Sequence, residues 1–236
     1  MKKCSITYGK NKISFLLKQD NRKSLKISVS PDMSIQVVAP NDIPEDKIIE
    51  RVKKKAAWII KKLEYFKAFL PLRPPKKYVS GETHRYLGRQ YRLKVKPNHW
   101  NEAKLNGRYL YLYTRRKNNS RYNREILYGW YRDKALSRFE SMFESLYQKL
   151  KKYDFKQPGL KVKTMKSRWG SCGVSKEIVT LNTELIKAPS HCIEYVIMHE
   201  LCHMKYSNHN RKFYDFLALV MPDWIERKKR LEKVVL

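Results

Sequence analysis

Long apolar segments are missing from this chain of 236 residues. No hydrophobic run approaches the roughly 20 residues that a membrane-spanning helix requires, so we expect no membrane partner. The first residues, MKKCSITYGKNKISFLL, begin with basic side chains, and Tyr8 and Lys10 interrupt the apolar positions early. A secretory signal has a longer apolar centre and a small-residue cleavage site. We therefore expect a cytoplasmic protein.

Cysteine is also scarce, and its spacing excludes the common paired motifs. The four residues show no CxxC or similar spacing; they are Cys4, Cys172, Cys192 and Cys202. A chain of this length buries enough apolar surface to fold without disulfides. A reducing compartment would also keep thiols free. We therefore expect four free thiols.

Acidic residues are few: 22 Asp and Glu stand against 52 Lys and Arg, which gives a formal net charge of +30. Because such a charge attracts polyanions, association with nucleic acid is one interpretation. A solvated basic surface without a partner is the other. The carboxylate clusters with which nucleases commonly hold Mg²⁺ are also missing, so the sequence gives no support to a nuclease.

The first third of the chain has the pattern of a small sheet followed by a helix. Residues 24–30 and 34–40 are rich in strand-forming side chains and flank a Pro-Asp-Met turn, so they predict two strands. Residues 41–66 repeat apolar side chains at helical spacing, with Asn41 or Asp42 as the cap. These features predict a β/α region at the N-terminus.

The proline-rich stretch LPLRPPKK, at 70–77, is the best candidate for a domain boundary. We predict an N-terminal region over 1–72 and a second, catalytic domain over 73–236. The chain contains no internal repeat and no low-complexity segment.

The second domain has strand patterns on both sides of a long helical pattern. Alternating aromatic and branched residues predict strands over 78–97 and 108–114, and residues 121–153 predict a helix. Residues 160–172 and 178–186 then predict the two strands of a hairpin. Such separate runs of strands and helices indicate the α+β fold class.

The sequence HELCH, from His199 to His203, has the HExxH spacing. On a helix, His199 and His203 lie one turn apart on the same face, so both imidazoles can hold one metal ion. Zn²⁺ suits imidazole nitrogen and a roughly tetrahedral shell. Glu200 points about 100° around the helix, where it can act as a general base on water activated by the metal.

A third protein ligand is needed, and His209 is the first candidate. The predicted motif helix runs from Ser190 to about Tyr206, and Asn208 tolerates the left-handed backbone that would let the chain fold back. Asp215 is the weaker alternative. Three histidine ligands would leave the fourth position open for water, which is typical of a catalytic rather than a structural zinc site.

Two alternatives compete with this interpretation. A structural zinc site could combine histidines with cysteines, although no CxxC supports it and Glu200 would then have no role. The spacing to His209 also fits the metzincin pattern HExxHxxGxxH, but Tyr206 occupies the glycine position. A tyrosine there argues against the sharp turn that follows the metzincin helix.

Several segments together resemble the YgjP-like branch of the SprT-like zinc metallopeptidases. They are RWGSC at 168–172, LNTELIKAP at 181–189, YVIMHELCHMKYSNHNRKFY at 195–214 and MPDW at 221–224. The resemblance implies a zincin-like catalytic domain of the minimal gluzincin type, with a short sheet packed on the HExxH helix. It implies Zn²⁺ held by His199, His203 and His209, Glu200 as the base, and hydrolysis of peptide bonds.

The resemblance also bears on partners. Better-studied SprT-like relatives cleave proteins crosslinked to DNA, so protein or peptide substrates associated with DNA are expected here. The sequence does not determine the oligomeric state. The alternative function is a nucleic-acid-binding protein with a structural or vestigial metal site.

Two further residues are candidates for the catalytic step. Arg168 could stabilise the negative charge on the attacked carbonyl oxygen, or it could pair with a carboxylate. The Tyr206 hydroxyl could donate to the same oxygen, or its ring could serve packing. For Trp169 and Gly170 we favour packing and close approach of the chain.

A row of tyrosines at 109, 111 and 113 lies outside the motif region. Alternate rings on one strand face could stack on nucleic-acid bases. Ordinary packing on the sheet is the alternative.

Overall fold

The computed structural model describes residues 1–67, 70, 74–153, 156–165 and 168–235. The chain divides into two compact units, Met1–Pro74 and Pro75–Val235. Sheets and helices occur in separate runs in both units, which confirms the predicted α+β class.

The N-terminal unit contains a four-stranded sheet with strand order β1-β2-β4-β3. Its strands are β1 Lys2–Tyr8, β2 Asn11–Asp20, β3 Lys26–Val29 and β4 Ile35–Pro40. The two predicted strands correspond to β3 and β4, whereas the prediction missed β1 and β2. Alternation in β2 buries Ile13, Phe15 and Leu17 on one face, so a period-2 signal was present in the sequence.

Two helices follow the sheet where the sequence predicted one. They are α1 Glu45–Lys54 and α2 Ala56–Lys67, and the chain departs from helical geometry at Lys55. The predicted cap at Asn41 or Asp42 was wrong, because α1 begins directly after Pro44 without a side-chain cap. Ile43 precedes a proline and therefore disfavours helical backbone, which explains why the helix begins after Pro44 and not upstream of it.

The second unit begins with a four-stranded sheet of order β5-β6-β8-β7. Its strands are β5 Thr83–Tyr86, β6 Arg89–Pro97, β7 Glu102–Asn106 and β8 Tyr109–Thr114. The helix α3, Ser120–Leu150, starts at Asn119, whose side chain accepts a hydrogen bond from the Tyr122 N–H. Leu110 and Leu112 of β8 are buried in one hydrophobic core with residues of α3.

A three-stranded sheet lies next along the chain, with β9 Gly159–Lys163, β10 Gly170–Gly173 and β11 Ile178–Asn182. The predicted hairpin over 160–172 and 178–186 is confirmed only in part, as the antiparallel pair of β10 and β11 with its turn at 174–177. β11 lies in the middle, parallel to β9 and antiparallel to β10, so the first segment supplies strands to both sides of β11. The short strand β10 is therefore one edge of this sheet, and β9 is the other.

Three helices complete the second unit: α4 Ser190–Cys202, α5 Arg211–Val220 and α6 Trp224–Val235. The helix α4 packs against β10, β11, α3 and α6, as expected for a short sheet packed on the HExxH helix. It ends at Cys202 instead of near Tyr206. Backbone N–H groups of Met204 and Lys205 donate to the Leu201 and Cys202 carbonyls, which closes the helix in tight turns.

This exit from α4 uses no left-handed residue. Among the described residues the non-glycine positions with positive φ are Met33, Tyr78, Leu87 and Glu177, so Asn208 does not adopt the expected conformation. The tight turns at the end of α4 redirect the chain instead. None of the helices in the described part of the chain combines the length and the apolar character needed to cross a bilayer.

Candidate active site

The helix α4 places two of the proposed ligands on one face, and the following loop returns the third. The ring centroids of His199 and His203 lie 5.0 Å apart. The Nε2 atom of His209 lies 2.9 Å from Nε2 of His199. One nitrogen from each of the three imidazoles lies within 4.8 Å of the others. The structure therefore brings together the three histidines that the sequence singled out.

Phe213, which sequence reasoning missed, packs against all three imidazoles. Its ring centroid lies 5.0 Å from His199, 4.6 Å from His203 and 4.8 Å from His209. The ring is fully buried near the start of α5, where the side chain of Asn210 accepts the Phe213 N–H. The N-cap of α5 therefore helps to hold the Phe213 ring in place against the three histidines.

A backbone contact orients the second ligand candidate. Nδ1 of His203 lies 3.0 Å from the carbonyl oxygen of Tyr206, which can only accept a hydrogen bond. This contact favours the tautomer with the proton on Nδ1, in which Nε2 of His203 carries the lone pair. Metal-binding histidines are commonly oriented in this way.

The cluster passes a chemical test for a divalent cation. Burial, and next the neighbouring His203 and His209, lower the pKa of His199 to about 3. Burial and the charge of His203 also lower the pKa of His209. The buried Nδ1 of His199 has no hydrogen-bond partner among the described residues. Neutral imidazoles whose lone pairs converge fit a metal ion better than they fit one another.

The cluster consists of histidines alone. Within the described ranges, His199, His203 and His209 are the one group of three or more His, Cys, Asp or Glu side chains arranged to share an ion. All four cysteines are free, and Cys202 is fully buried. The structural alternative with cysteine ligands therefore has no matching geometry among the described residues.

Glu200 lies on α4 beside the histidines, with 7% of its surface exposed. A Cβ atom placed on Gly170 would lie only 2.6 Å from Oε1 of Glu200. The backbone N–H of Cys172 lies near the same carboxylate and favours its ionised form. The strand β10 therefore lies directly against the carboxylate, and Gly170 gives the close approach that the sequence predicted.

The environment of Glu200 raises its pKa to about 7, because burial disfavours the charged form. The positive charge of Arg168 and the hydrogen bond from Cys172 partly oppose this shift. A carboxyl group with a pKa near 7 can both accept and release a proton at neutral pH.

A cavity of about 290 Å³ opens beside the histidines and the carboxylate. Its walls come from β10 and the residues before it, from α4 and from α6. They include Arg168, Gly170, His199, Glu200, Lys228 and Leu231. Substrate-sized space therefore adjoins the candidate metal and base.

The comparison with protein families agrees with this geometry. The family description "YgjP-like, metallopeptidase domain" matches residues 23–234. The chain belongs to the YgjP-like metallopeptidase family. It is a metal-dependent peptidase, as the sequence predicted. No curated protein matches the chain.

Two solved structures resemble part of this YgjP-like chain. The jannalysin metallopeptidase zymogen of Methanocaldococcus jannaschii is 19% identical, with a TM-score of 0.37, over 42% of this chain and 97% of its own. The abylysin metallopeptidase zymogen of Pyrococcus abyssi is 21% identical, with a TM-score of 0.36, over 39% and 90% respectively. Likeness at this level carries no argument about the site.

In this YgjP-like site, Asn182 was not recognised from sequence. Its side chain is buried, donates to the Arg168 and Met165 carbonyls at 2.8 and 2.9 Å, and accepts the Met165 and Glu184 N–H groups. The Asn182 N–H also donates to Trp169. Asn182 therefore anchors the backbone that carries Arg168 to the cavity. The only signal was a polar residue at the end of a buried strand.

The other residues that the sequence suggested for the site do not join the histidine cluster. Asp215 is exposed on α5 and pairs with Arg211 at 3.7 Å, so it does not join the histidine group. The Tyr206 ring packs edge-on against Phe216 with centroids 5.6 Å apart. Trp169 packs against the hydrophobic core, as expected.

Proposed function

We propose that this protein is a zinc-dependent metallopeptidase in which His199, His203 and His209 bind the metal and Glu200 is the general base. The observation that carries the proposal is the convergence of three imidazole nitrogens next to one buried carboxylate. Peptide-bond hydrolysis follows from membership of the family.

The donor set favours zinc, because imidazole nitrogens in a three-histidine arrangement suit its tetrahedral shell. His209 is exposed, so the cluster is accessible from solvent. When bound, a zinc ion supplies Lewis acidity that polarises a carbonyl group and makes a water molecule more acidic.

Glu200 would move the proton in both halves of the reaction. Its carboxylate, with a pKa raised to about 7, accepts a proton from the attacking water and passes it to the leaving amine. Burial supports this role, because a desolvated carboxylate is a stronger base than an exposed one.

Arg168 is the proposed donor to the developing oxyanion. It lines the same cavity as Glu200 and His199, and its charge acts on Glu200. Tyr206 is a second and weaker candidate for this donor, because it does not line the cavity. Its ring contact with Phe216 and its carbonyl contact with His203 support a positioning role instead.

The extended substrate would add to the edge of the three-stranded sheet. The strand β10 pairs with β11 on one side and lies at the sheet edge on the other. A peptide that pairs with β10 would lie alongside Glu200, because Gly170 of that strand contacts the carboxylate.

We also propose that the physiological substrates are proteins associated with DNA in the cytoplasm. The net charge of +30 supports attraction to polyanions, and four free thiols agree with a reducing compartment. A DNA-binding protein would then be a substrate that the enzyme meets on the nucleic acid.

Metal analysis of the purified chain, together with hydrolysis of a DNA-bound protein with and without its DNA, tests these proposals. We expect about one zinc per chain in the wild type and in Glu200→Gln, and loss of zinc when any of the three histidines becomes alanine. Glu200→Gln should be inactive. Full activity of this variant would refute the assignment of the base.

Salt-dependent DNA affinity that survives chelation, with no proteolysis of any substrate, would favour the alternative of a nucleic-acid-binding protein with a vestigial site. A faster cleavage of the DNA-bound form than of the free form is the result expected from our proposal.

A further inference from the structure

One face of the four-stranded sheet in the second unit carries three tyrosines side by side. Tyr109, Tyr111 and Tyr113 of β8 alternate with Leu110 and Leu112, which are buried in the core. The tyrosines are only partly buried and do not pack against that core. They therefore form the outward face of β8, and packing within the core does not account for them.

The rings have a common orientation along the strand. Tyr111 and Tyr113 are stacked with centroids 6.2 Å apart and planes within 15° of parallel. Tyr109 lies 6.0 Å from Tyr111 at a steeper angle of 59°. Consecutive aromatic surfaces of this kind can stack on flat, unpaired groups such as nucleic-acid bases.

Cations flank this row on both neighbouring strands. The register places Arg92, Lys94 and Lys96 of β6 beside the three tyrosines, and Lys104 of β7 beside Tyr111. Lys94 Nζ lies 3.5 Å from the Tyr109 ring centroid and Lys96 Nζ lies 5.0 Å from that of Tyr111. The lysines are therefore held close to the rings.

Acidic side chains do not neutralise these cations in the described part of the chain. There, Arg92, Lys94, Lys96 and Lys104 form no ion pair. On the neighbouring strand, the one acid facing the tyrosine row is Glu102, opposite Tyr113. The face thus combines aromatic rings with unneutralised positive charge.

We propose that this tyrosine face, formed by Arg92, Lys94, Lys96, Lys104 and the three tyrosines, binds single-stranded nucleic acid. Bases would stack on the rings, while the lysines and Arg92 contact phosphates. A duplex keeps its bases stacked on one another, so only the single strand can use the rings. The inference rests on the nucleic-acid association in the proposed function and assigns that association to a specific surface of the second unit.

Fluorescence anisotropy of a labelled oligothymidylate of about 15 nucleotides, measured with the full chain, tests the tyrosine face. We expect the double variant Tyr111→Ala, Tyr113→Ala to bind about tenfold more weakly, because ring stacking is lost. Tyr8→Ala, which removes an exposed tyrosine of β1, is the matched control and should bind like the wild type. A duplex of the same length should be insensitive to the double variant.

The lysines of the tyrosine face lead to a separate prediction. Replacing Lys96 and Lys104 by glutamine should flatten the dependence of log affinity on log salt by about 0.7 for each lost phosphate contact. Lys229→Gln, on α6, should leave the slope unchanged.

The proposal would be wrong if the double tyrosine variant bound the oligonucleotide with wild-type affinity. It would also be wrong if Tyr8→Ala lost as much affinity as the double variant. Displacement of the oligonucleotide by polyglutamate as effectively as by unlabelled oligothymidylate would overturn it too, because the surface would then be a general anion site. Absence of oligothymidylate binding by the wild type would refute this inference, and absence of duplex binding as well would refute the DNA association. If the variants hydrolyse a free peptide at the wild-type rate, they are folded. The peptidase assignment is then independent of the outcome for the tyrosine face.

Discussion

Gly170 lies against the carboxylate of Glu200 so closely that no other residue fits without moving it. A Cβ atom at this position would fall 2.6 Å from Oε1 and 2.7 Å from Cγ of Glu200. The side chain of Glu200 is also buried, so it has little room to retreat. The position of the Glu200 carboxylate therefore depends on a residue without a side chain at position 170.

Replacement of Gly170 by alanine should lower kcat by about tenfold or more, because a displaced base loses much of its contribution to proton transfer. Steady-state kinetics, with zinc content as a check on the metal site, measures this. Gly173→Ala on the same strand is the matched control, since a Cβ atom there meets nothing closer than 3.6 Å. Equal effects of the two substitutions would contradict the argument.

The pKa of Glu200 gives a second prediction at the residue scale. The proposed base must be ionised to accept a proton, so kcat/KM should rise with pH through the pKa of Glu200 and level off above it. Because the charge of Arg168 lowers this pKa, Arg168→Gln should move the acid limb to higher pH. Arg168→Lys keeps the charge and should leave the limb in place. A limb that stays fixed in Arg168→Gln would show that another group titrates.

Among the elements, the three-stranded sheet does most to shape the site. The central strand β11 ends in Asn182, whose side chain bonds to the backbone of Met165 and Arg168 and whose N–H donates to the Trp169 carbonyl. The edge strand β10 contributes Gly170 and the Cys172 N–H to the surroundings of Glu200. The two strands thus position the backbone segment that lies against the side chain of Glu200.

Asn182→Ala should destabilise the second unit by about 2–3 kcal/mol, because buried backbone donors and acceptors lose their partners. Urea unfolding followed by circular dichroism measures the change. We also expect kcat to fall under conditions where the variant is fully folded, and the acid limb to shift as Arg168 is displaced. Asn106→Ala, at an exposed strand end, is the control. A loss of stability with an unaltered pH profile would limit Asn182 to a structural role.

For the whole molecule, the two units have separate hydrophobic cores. One core draws on residues of the N-terminal unit such as Phe15 and Val37, and the other on residues of the second unit such as Leu127 and Ile197. Each unit therefore has the means to unfold as a cooperative block. A ligand that binds one unit should stabilise that unit alone.

We predict two calorimetric transitions, of which zinc raises only the one that belongs to the second unit. At a free zinc concentration of a hundred times Kd, the gain in the free energy of unfolding should be about 2.7 kcal/mol. His209→Ala should abolish this gain and change the metal-free stability by less than about 0.5 kcal/mol, because His209 is exposed. A zinc-dependent shift that persists in His209→Ala would exclude that residue as a ligand.

Local patterns explain how far sequence reasoning reached. The spacing of His199 and His203 predicts a shared face because helical periodicity is a property of the backbone alone. The long helix over 121–153 was recognised for the same reason and appears as α3. The end of α4 was placed too late, since its tight turns depend on backbone hydrogen bonds that no residue type signals.

By itself, the sequence determined the family, the α+β class and the helix that carries the HExxH motif, because these follow from residue spacing and short-range periodicity. Only the tertiary structure decided that β9 and β10 lie on opposite sides of β11, that Gly170 contacts Glu200, and that Phe213 lies under the histidines. Those arrangements depend on how whole elements meet and not on the spacing of residues within one element. Their physical cause is the packing of whole elements around a shared core, which no local pattern contains.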